Sequence, residues 1–312
     1  MTLSDDQALL LALCKVKGVN WYLLAREAQR HGGLQRLASG HVTETSAEAD
    51  KAVAAIRASL GDLDRLKAEA HDEFEKGRSV GAHLLTVIDD DYPATLRLIF
   101  NLPPFLFVRG SIKESDLVSV AVVGTRQASQ DGVRRAGRMA RLLVENGVTV
   151  VSGLAKGIDT AAHRAALDAG GRTIAVVGTG IRKCYPAENR DLAEKITEQG
   201  AVVSQFWPDG HPATYTFPRR NITMSGIAQG TVVIEASSTS GAKMQARLAL
   251  EHGKKVFLIR SLTNSQEWAR SYVSTRGAVA VDDVDDVVKL LSAPARIHAA
   301  DTRRAQLALQ LD

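Results

Sequence analysis

VSVAVVGTR at 118–126, VTVVSGLAKGID at 148–159 and RTIAVVGTGIRK at 172–183 follow one pattern: a short apolar run rich in Val, then glycine, then a polar or basic turn. A continuous Val/Ile run offers no polar face, so both faces of such a strand must be covered. Further runs at 201–204, 231–235 and 255–259 repeat the pattern, and each of the first five runs is followed by a stretch patterned for a helix. Strands alternating with helices predict an α/β fold, an extended Rossmann-like doubly wound and mainly parallel sheet over residues 115–292.

On the amino-terminal side the period changes. Leu9, Leu10, Leu13 and Val16, then Trp21, Leu24, Ala25 and Ala28, recur at helical spacing, with Gly18 between the groups and Gly32-Gly33 closing the second. Another helical stretch covers about 47–76, so residues 1–78 read as a small all-helical domain of the SAM or helix-hairpin-helix kind. Lys17-Gly18-Val19-Asn20 resembles a hairpin whose backbone N–H groups cup a DNA phosphate. Asn20, standing where a second glycine is usual, favours an ordinary helical bundle. Residues 79–114 read as a strand-and-turn extension of the sheet, with Pro103 and Pro104 leading into an edge strand. Residues 293–312 read as a helical tail, with no winged-helix domain expected.

Composition narrows the class. The 312 residues are 45% hydrophobic and 24% charged, which suits a folded chain with a large core. Cys14 and Cys184 are the only cysteines, too few for a disulfide framework or a cysteine-rich zinc module. No apolar run approaches the roughly 18 residues of a membrane span, and the acidic start makes a poor signal peptide, so a cytoplasmic protein away from membranes is expected. Residues 1–110 carry 13 Lys/Arg against 15 Asp/Glu, whereas residues 119–222 carry 14 against 9. The basic centre suggests an anionic ligand.

In open α/β sheets ligands bind beyond the carboxyl ends of the strands. Those positions hold Gly124, Thr125 and Arg126; Ser152, Gly153, Lys156 and Gly157; Gly178, Thr179 and Gly180 with Arg182 and Lys183; Phe217, Arg219, Arg220 and Asn221; and Thr239, Ser240 and Gly241. Glycine lets backbone approach a phosphate, helix N-termini aim N–H groups at it, and Arg or Lys neutralises it. Five such loops on one rim predict an anion site. No segment matches the Walker loop, and GTRQAS after the first strand lacks the dinucleotide fingerprint, so no cofactor is expected. Asp159 and His163 read as a capping carboxylate and a packed or surface histidine rather than a metal pair. No metal site is expected, and Ser152 has no evident triad partners. Glu235 is the single rim acid considered for hydrolysis.

VAVVGTR, VVSGLAKGIDTAAHRAAL, TIAVVGTGIRKCYPAEN and FPRRN…SG resemble the DprA/Smf family of DNA-processing proteins, and DYPATLRLIFNLPPFLFVRG extends the likeness upstream, over most of residues 5–290. The resemblance implies a non-catalytic, homodimeric protein that binds single-stranded DNA in a basic pocket. It also implies protection of incoming strands in natural transformation or recombination, and help in loading RecA on strands covered by single-strand-binding protein. By the same likeness Arg126 of the Gly124-Thr125-Arg126 motif is the phosphate-contacting arginine, Lys156 stands where the family usually has Arg or Lys, and Phe217 either stacks a base or anchors its loop. With aromatic residues at only 5%, phosphate contacts are expected to outweigh stacking.

The carboxyl-terminal half departs from the family pattern. Ile222 follows FPRRN where another arginine is usual, and the SGSLITA-like helix start reads Ser240-Gly241-Ala242-Lys243-Met244-Gln245-Ala246. Ile259-Arg260-Ser261-Leu262 replaces a Pro-Gly turn. Two rival readings are a nucleoside-monophosphate N-glycosidase using Glu235 with the Thr239-Ser240-Gly241 loop, and a nucleotide-signal sensor. The first lacks the Pro-Gly-Gly-rich phosphate loop of such hydrolases.

Overall fold

Val120, Ala121, Val122 and Val123 are all buried, as a strand covered on both faces requires. They form the middle of a nine-stranded sheet in the computed structural model, which describes residues 2–310. The strands are β1 (His83–Thr86), β2 (Phe105–Gly110), β3 (Ser119–Val123), β4 (Thr149–Ser152), β5 (Thr173–Val176), β6 (Ala201–Ser204), β7 (Gly230–Val233), β8 (Lys255–Ile259) and β9 (Val279–Val281). Their spatial order is β1-β2-β6-β5-β4-β3-β7-β8-β9. All neighbours from β6 to β9 are parallel. The 83–110 segment adds an antiparallel pair on one edge, with Val108 opposite Val203 and Leu85 opposite Leu106. The short β9, which the apolar runs did not predict, closes the other edge.

The amino-terminal helices are α1 (Asp5–Lys15), α2 (Trp21–Ala28), α3 (Gly33–Ala38), α4 (Ala47–Ser59) and α5 (Leu63–Arg78). Their apolar faces bury Leu10, Leu11, Leu23, Leu24 and Leu37 completely. An aromatic cluster joins them to the sheet: the Trp21 and Phe105 ring centroids lie 5.1 Å apart, and Phe105 lies 4.7 Å from Trp207 in the loop after β6. The Lys15 ammonium sits 4.5 Å over the Trp207 ring, adding a cation–π contact.

Asn20 is the N-cap of α2. Its side-chain oxygen accepts the backbone N–H groups of Tyr22 at 2.7 Å and Leu23 at 3.4 Å, and its amide nitrogen donates to Glu48. The cap thus occupies two N–H groups in the first turn of α2 and sets the Glu48 carboxylate beside them. Asn20→Ala is expected to cost about 1 kcal/mol of stability. A denaturation midpoint equal to that of the unmodified chain overturns the capping role.

Beyond α6 (Ala94–Arg97), the crossovers are α7 (Gln130–Glu145), α8 (Ile158–Asp168), α9 (Arg190–Gln199), α10 (Thr216–Ile227) and α11 (Gly241–Glu251). Right-handed crossovers place α7, α8 and α9 on one face and, because the chain doubles back after β6, α10 and α11 on the other. Then come α12 (Arg260–Ser265), α13 (Glu267–Thr275), α14 (Asp285–Val288) and α15 (Pro294–Gln310). The expected helical tail corresponds to α15, while residues 311 and 312 lie outside the described residues. Among the described residues no helix is long and apolar enough to cross a membrane.

Candidate functional site

From β3 the chain steps through β4, β5 and β6 on one side and then returns to β7 on the other. Loops leaving β3 and β7 therefore diverge, and a crevice opens at this switch point. A cleft of about 420 Å³ occupies it. Gly124, Thr125, Arg126 and Gln127 line it after β3, with Ala155 and Asp159 after β4. Phe217, Arg220 and Asn221 come from α10, Ser237 and Ser240 from the β7–α11 connection, and Gly241, Ala242 and Gln245 from α11. The Thr125 N–H donates to the Glu235 carbonyl at 2.7 Å, tying the two strand ends together. The Ser240 hydroxyl accepts the Lys243 N–H at 3.3 Å and caps α11, whose N-terminal positive potential meets the cleft.

Arg126 stands at the mouth, exposed, with its guanidinium 5.0 Å over the Phe217 ring. Phe217 in turn fills the space beside Gly178, where an added methyl would lie 2.8 Å from the ring, and its centroid is 6.0 Å from that of Tyr185. The exposed Arg219, four residues after Tyr215, lies 5.6 Å over the Tyr215 ring. Tyr185 and Tyr215 are 48% and 61% exposed, large aromatic surfaces left to solvent beside basic groups. Among the described residues no carboxylate pairs with Arg126 or Arg219, whereas Lys156 is bound to Glu188 and Arg182 to Asp209. Unpaired cations over aromatic rings are suited to phosphates joined to stackable bases.

Arg220 does something else. FPRRN was expected as a loop; it forms the first turns of α10, where Pro218 is tolerated because its missing N–H has no intrahelical partner there. That places Arg220 inward, 6% exposed, with Nη1 donating to the Val176 carbonyl at 2.9 Å. Its guanidinium rests on Gly153, where an added methyl would lie 1.6 Å from Nη1. Burial lowers its affinity for the proton, opposed by the charge of Asp159. Burial pushes the Asp159 carboxyl up, and the Arg220 charge, followed by the N–H groups of Ala155 and Gly153, holds it down. Asp159 Oδ2 accepts those N–H groups at 3.3 and 3.1 Å, so it secures the loop before its helix rather than capping the helix itself. In that loop Leu154 is held at φ 57°, the one positive φ outside glycine among the described residues.

The remaining residues of the expected rim do not line this cleft. The Ser152 hydroxyl is buried and donates to the Val122 carbonyl at 2.7 Å, fastening β4 to β3. Lys156 and Gly157 border a separate cavity with Arg164 and Glu188. Gly157 has φ +74°, and a side chain there would collide with the Thr125 carbonyl, which is why glycine stands there. Gly180 donates its N–H to the Gly210 carbonyl in the loop after β6, and the Thr179 hydroxyl donates to the Lys183 carbonyl, so this loop is tied to its neighbour and across its own turn. The side chains weighed for chemistry are committed too. Glu235 accepts from the Ser129 N–H and hydroxyl, the latter at 2.8 Å. His163 is fully buried against the Thr173 hydroxyl, 2.7 Å away, and burial lowers its pKa to about 3. Among the described residues no group of three or more His, Cys, Asp or Glu is placed to hold a metal.

With fold and cleft defined, residues 83–292 match the family model for DNA recombination-mediator protein A, and the chain belongs to that family. The DNA processing protein DprA of Streptococcus pneumoniae is 40% identical over 192 residues, covering 62% of this chain and 66% of the relative, just under two thirds of its length. The X-ray structure of DprA from Streptococcus pneumoniae superposes with a TM-score of 0.75 at 30% identity, covering 94% of this chain and all of that one. DNA processing protein A from Helicobacter pylori shares the fold, with a TM-score of 0.59 at 24% identity over 66% of this chain and 94% of that one.

Proposed function

We propose that this chain is a single-stranded-DNA-binding recombination mediator, acting without catalysis. The observation that carries the reading is Arg126: exposed, unpaired with carboxylate, stacked over Phe217 and set at the mouth of the switch-point cleft beside the N-terminus of α11. The Helicobacter pylori protein of the same fold is described as having a single-stranded DNA binding mode. Gly124, Thr125, Arg219, Asn221, Ser240 and Gly241 complete the proposed strand-binding surface. Arg220 and Gly153 shape it from beneath, and Lys156, Gly157, Gly178, Thr179 and Gly180 contribute along the rim. Family resemblance further supports a homodimer in the cytoplasm that protects incoming strands and hands them to RecA in the presence of single-strand-binding protein. The non-catalytic role is supported by the structural bonds that occupy Glu235, Ser152 and His163.

Fluorescence anisotropy with labelled single strands and duplexes tests this reading. Phosphates on flexible strands can follow a narrow rim that a stiff duplex cannot, so single strands are expected to bind more tightly. If Arg126 and Arg219 each neutralise one phosphate, log K falls against log salt with a slope of about −1.4. A flat salt response, or equal affinity for duplex, rejects the reading.

A further inference from the structure

Gln245 lies in the second turn of α11, fully buried, and neither its amide nitrogen nor its amide oxygen has a hydrogen-bond partner. An unmade hydrogen bond on a buried amide is costly, and native chains retain few such groups without a use for them. Gln245 forms part of the cleft wall with Asp159, Phe217 and Arg220, and Arg220 Nε, at the same cleft, is also unpartnered. The segment is also where this chain parts from its family's pattern, reading Lys243-Met244-Gln245. Something specific to this chain has been placed at the inner wall.

A carboxamide offers a donor and an acceptor side by side. That edge complements adenine, whose N7 accepts while its N6 amino group donates. The phosphate-facing groups, Arg126 and the N-terminus of α11, stand at the mouth, so a base turned inward from a bound strand meets the wall behind them. Asp159 carries only acceptors when ionised, which favours an edge bearing an amino group over the O4 carbonyl of thymine. We propose that Gln245 reads one adenine of the bound single strand, Nε2 donating to N7 and Oε1 accepting from the N6 amino group. This rests on the strand-binding reading and adds base preference to it.

The test uses the full chain and a labelled eight-nucleotide thymidine strand in which a single adenine is moved through each position. One position is expected to raise affinity about fivefold or more. Replacing that adenine with 7-deazaadenine, which lacks the N7 acceptor, is expected to remove most of the gain with no change to the protein. In Gln245→Leu, an apolar replacement of similar size, the thymidine strand and its adenine-bearing counterpart are expected to bind alike. Equal affinity at every position, as a water-filled wall predicts, overturns the proposal; so does a gain that survives in Gln245→Leu. Salt-sensitive binding of the thymidine strand without any adenine effect overturns base reading alone. Failure to bind any strand overturns the mediator reading and base reading together.

Discussion

Arg126→Ala lowers the affinity for a short single strand about 5- to 150-fold, corresponding to about 1–3 kcal/mol for a charge-assisted phosphate contact. The substitution is a clean one. Arg126 is exposed, and no carboxylate is left unpaired by its removal. Stability should therefore change by no more than about 0.5 kcal/mol. Arg126→Lys should fall between the two, because lysine keeps the charge but loses the planar group that stacks on Phe217 and grips two phosphate oxygens. Anisotropy titrations, read beside thermal melts, check both variants. A folded Arg126→Ala protein with unchanged affinity sinks the assignment of the cleft.

Arg220→Ala is expected to act on stability first. It leaves the buried Asp159 without its nearest compensating charge, frees the Val176 carbonyl and opens a void over Gly153. Removing the charge that offsets buried Asp159 and leaving the Val176 carbonyl unpaired costs about 1–3 kcal/mol, read as a lower midpoint in denaturant. Arg220→Met combined with Asp159→Asn fills the space and removes both charges, and should recover much of the loss. If Arg220→Ala is instead as stable as the starting chain and only binding falls, Arg220 is a direct phosphate ligand and the supporting role is wrong.

The two arginines show where sequence reading reaches its limit. The strands were legible because parallel strands buried on both faces must be apolar throughout, and Val120–Val123 are. The glycine and hydroxyl loops were legible because strand-to-helix turns demand them. Burial of Arg220 was not legible, since it depends on a glycine in a distant loop and on a proline that reads as a helix breaker yet sits in the first turn of α10. The ion pair of Lys156 with Glu188 was not legible either, since the two residues are far apart in sequence and meet only in the fold. Tyr185 and Tyr215 were missed because a low overall aromatic content hides local concentration. CYPAEN and TYTFPRRN, each placing a tyrosine near basic or rim residues, were the available signal. β9 escaped because three residues after Gly277 are too few to carry a period.

The antiparallel edge of the sheet has a consequence for synthesis of the chain. β2 can pair with β1 at once, but its other edge is covered only when β6 has left the ribosome, because Val108 pairs with Val203. At roughly 5–20 residues per second the wait is about 5–20 s. During that interval Trp21 of the finished amino-terminal helices and Phe105 of β2 have no Trp207 to cover them, beside a strand edge open to any neighbouring nascent chain. The polypeptide's most vulnerable moment thus falls between its first third and the completion of β6, and chaperone capture is expected to be greatest there.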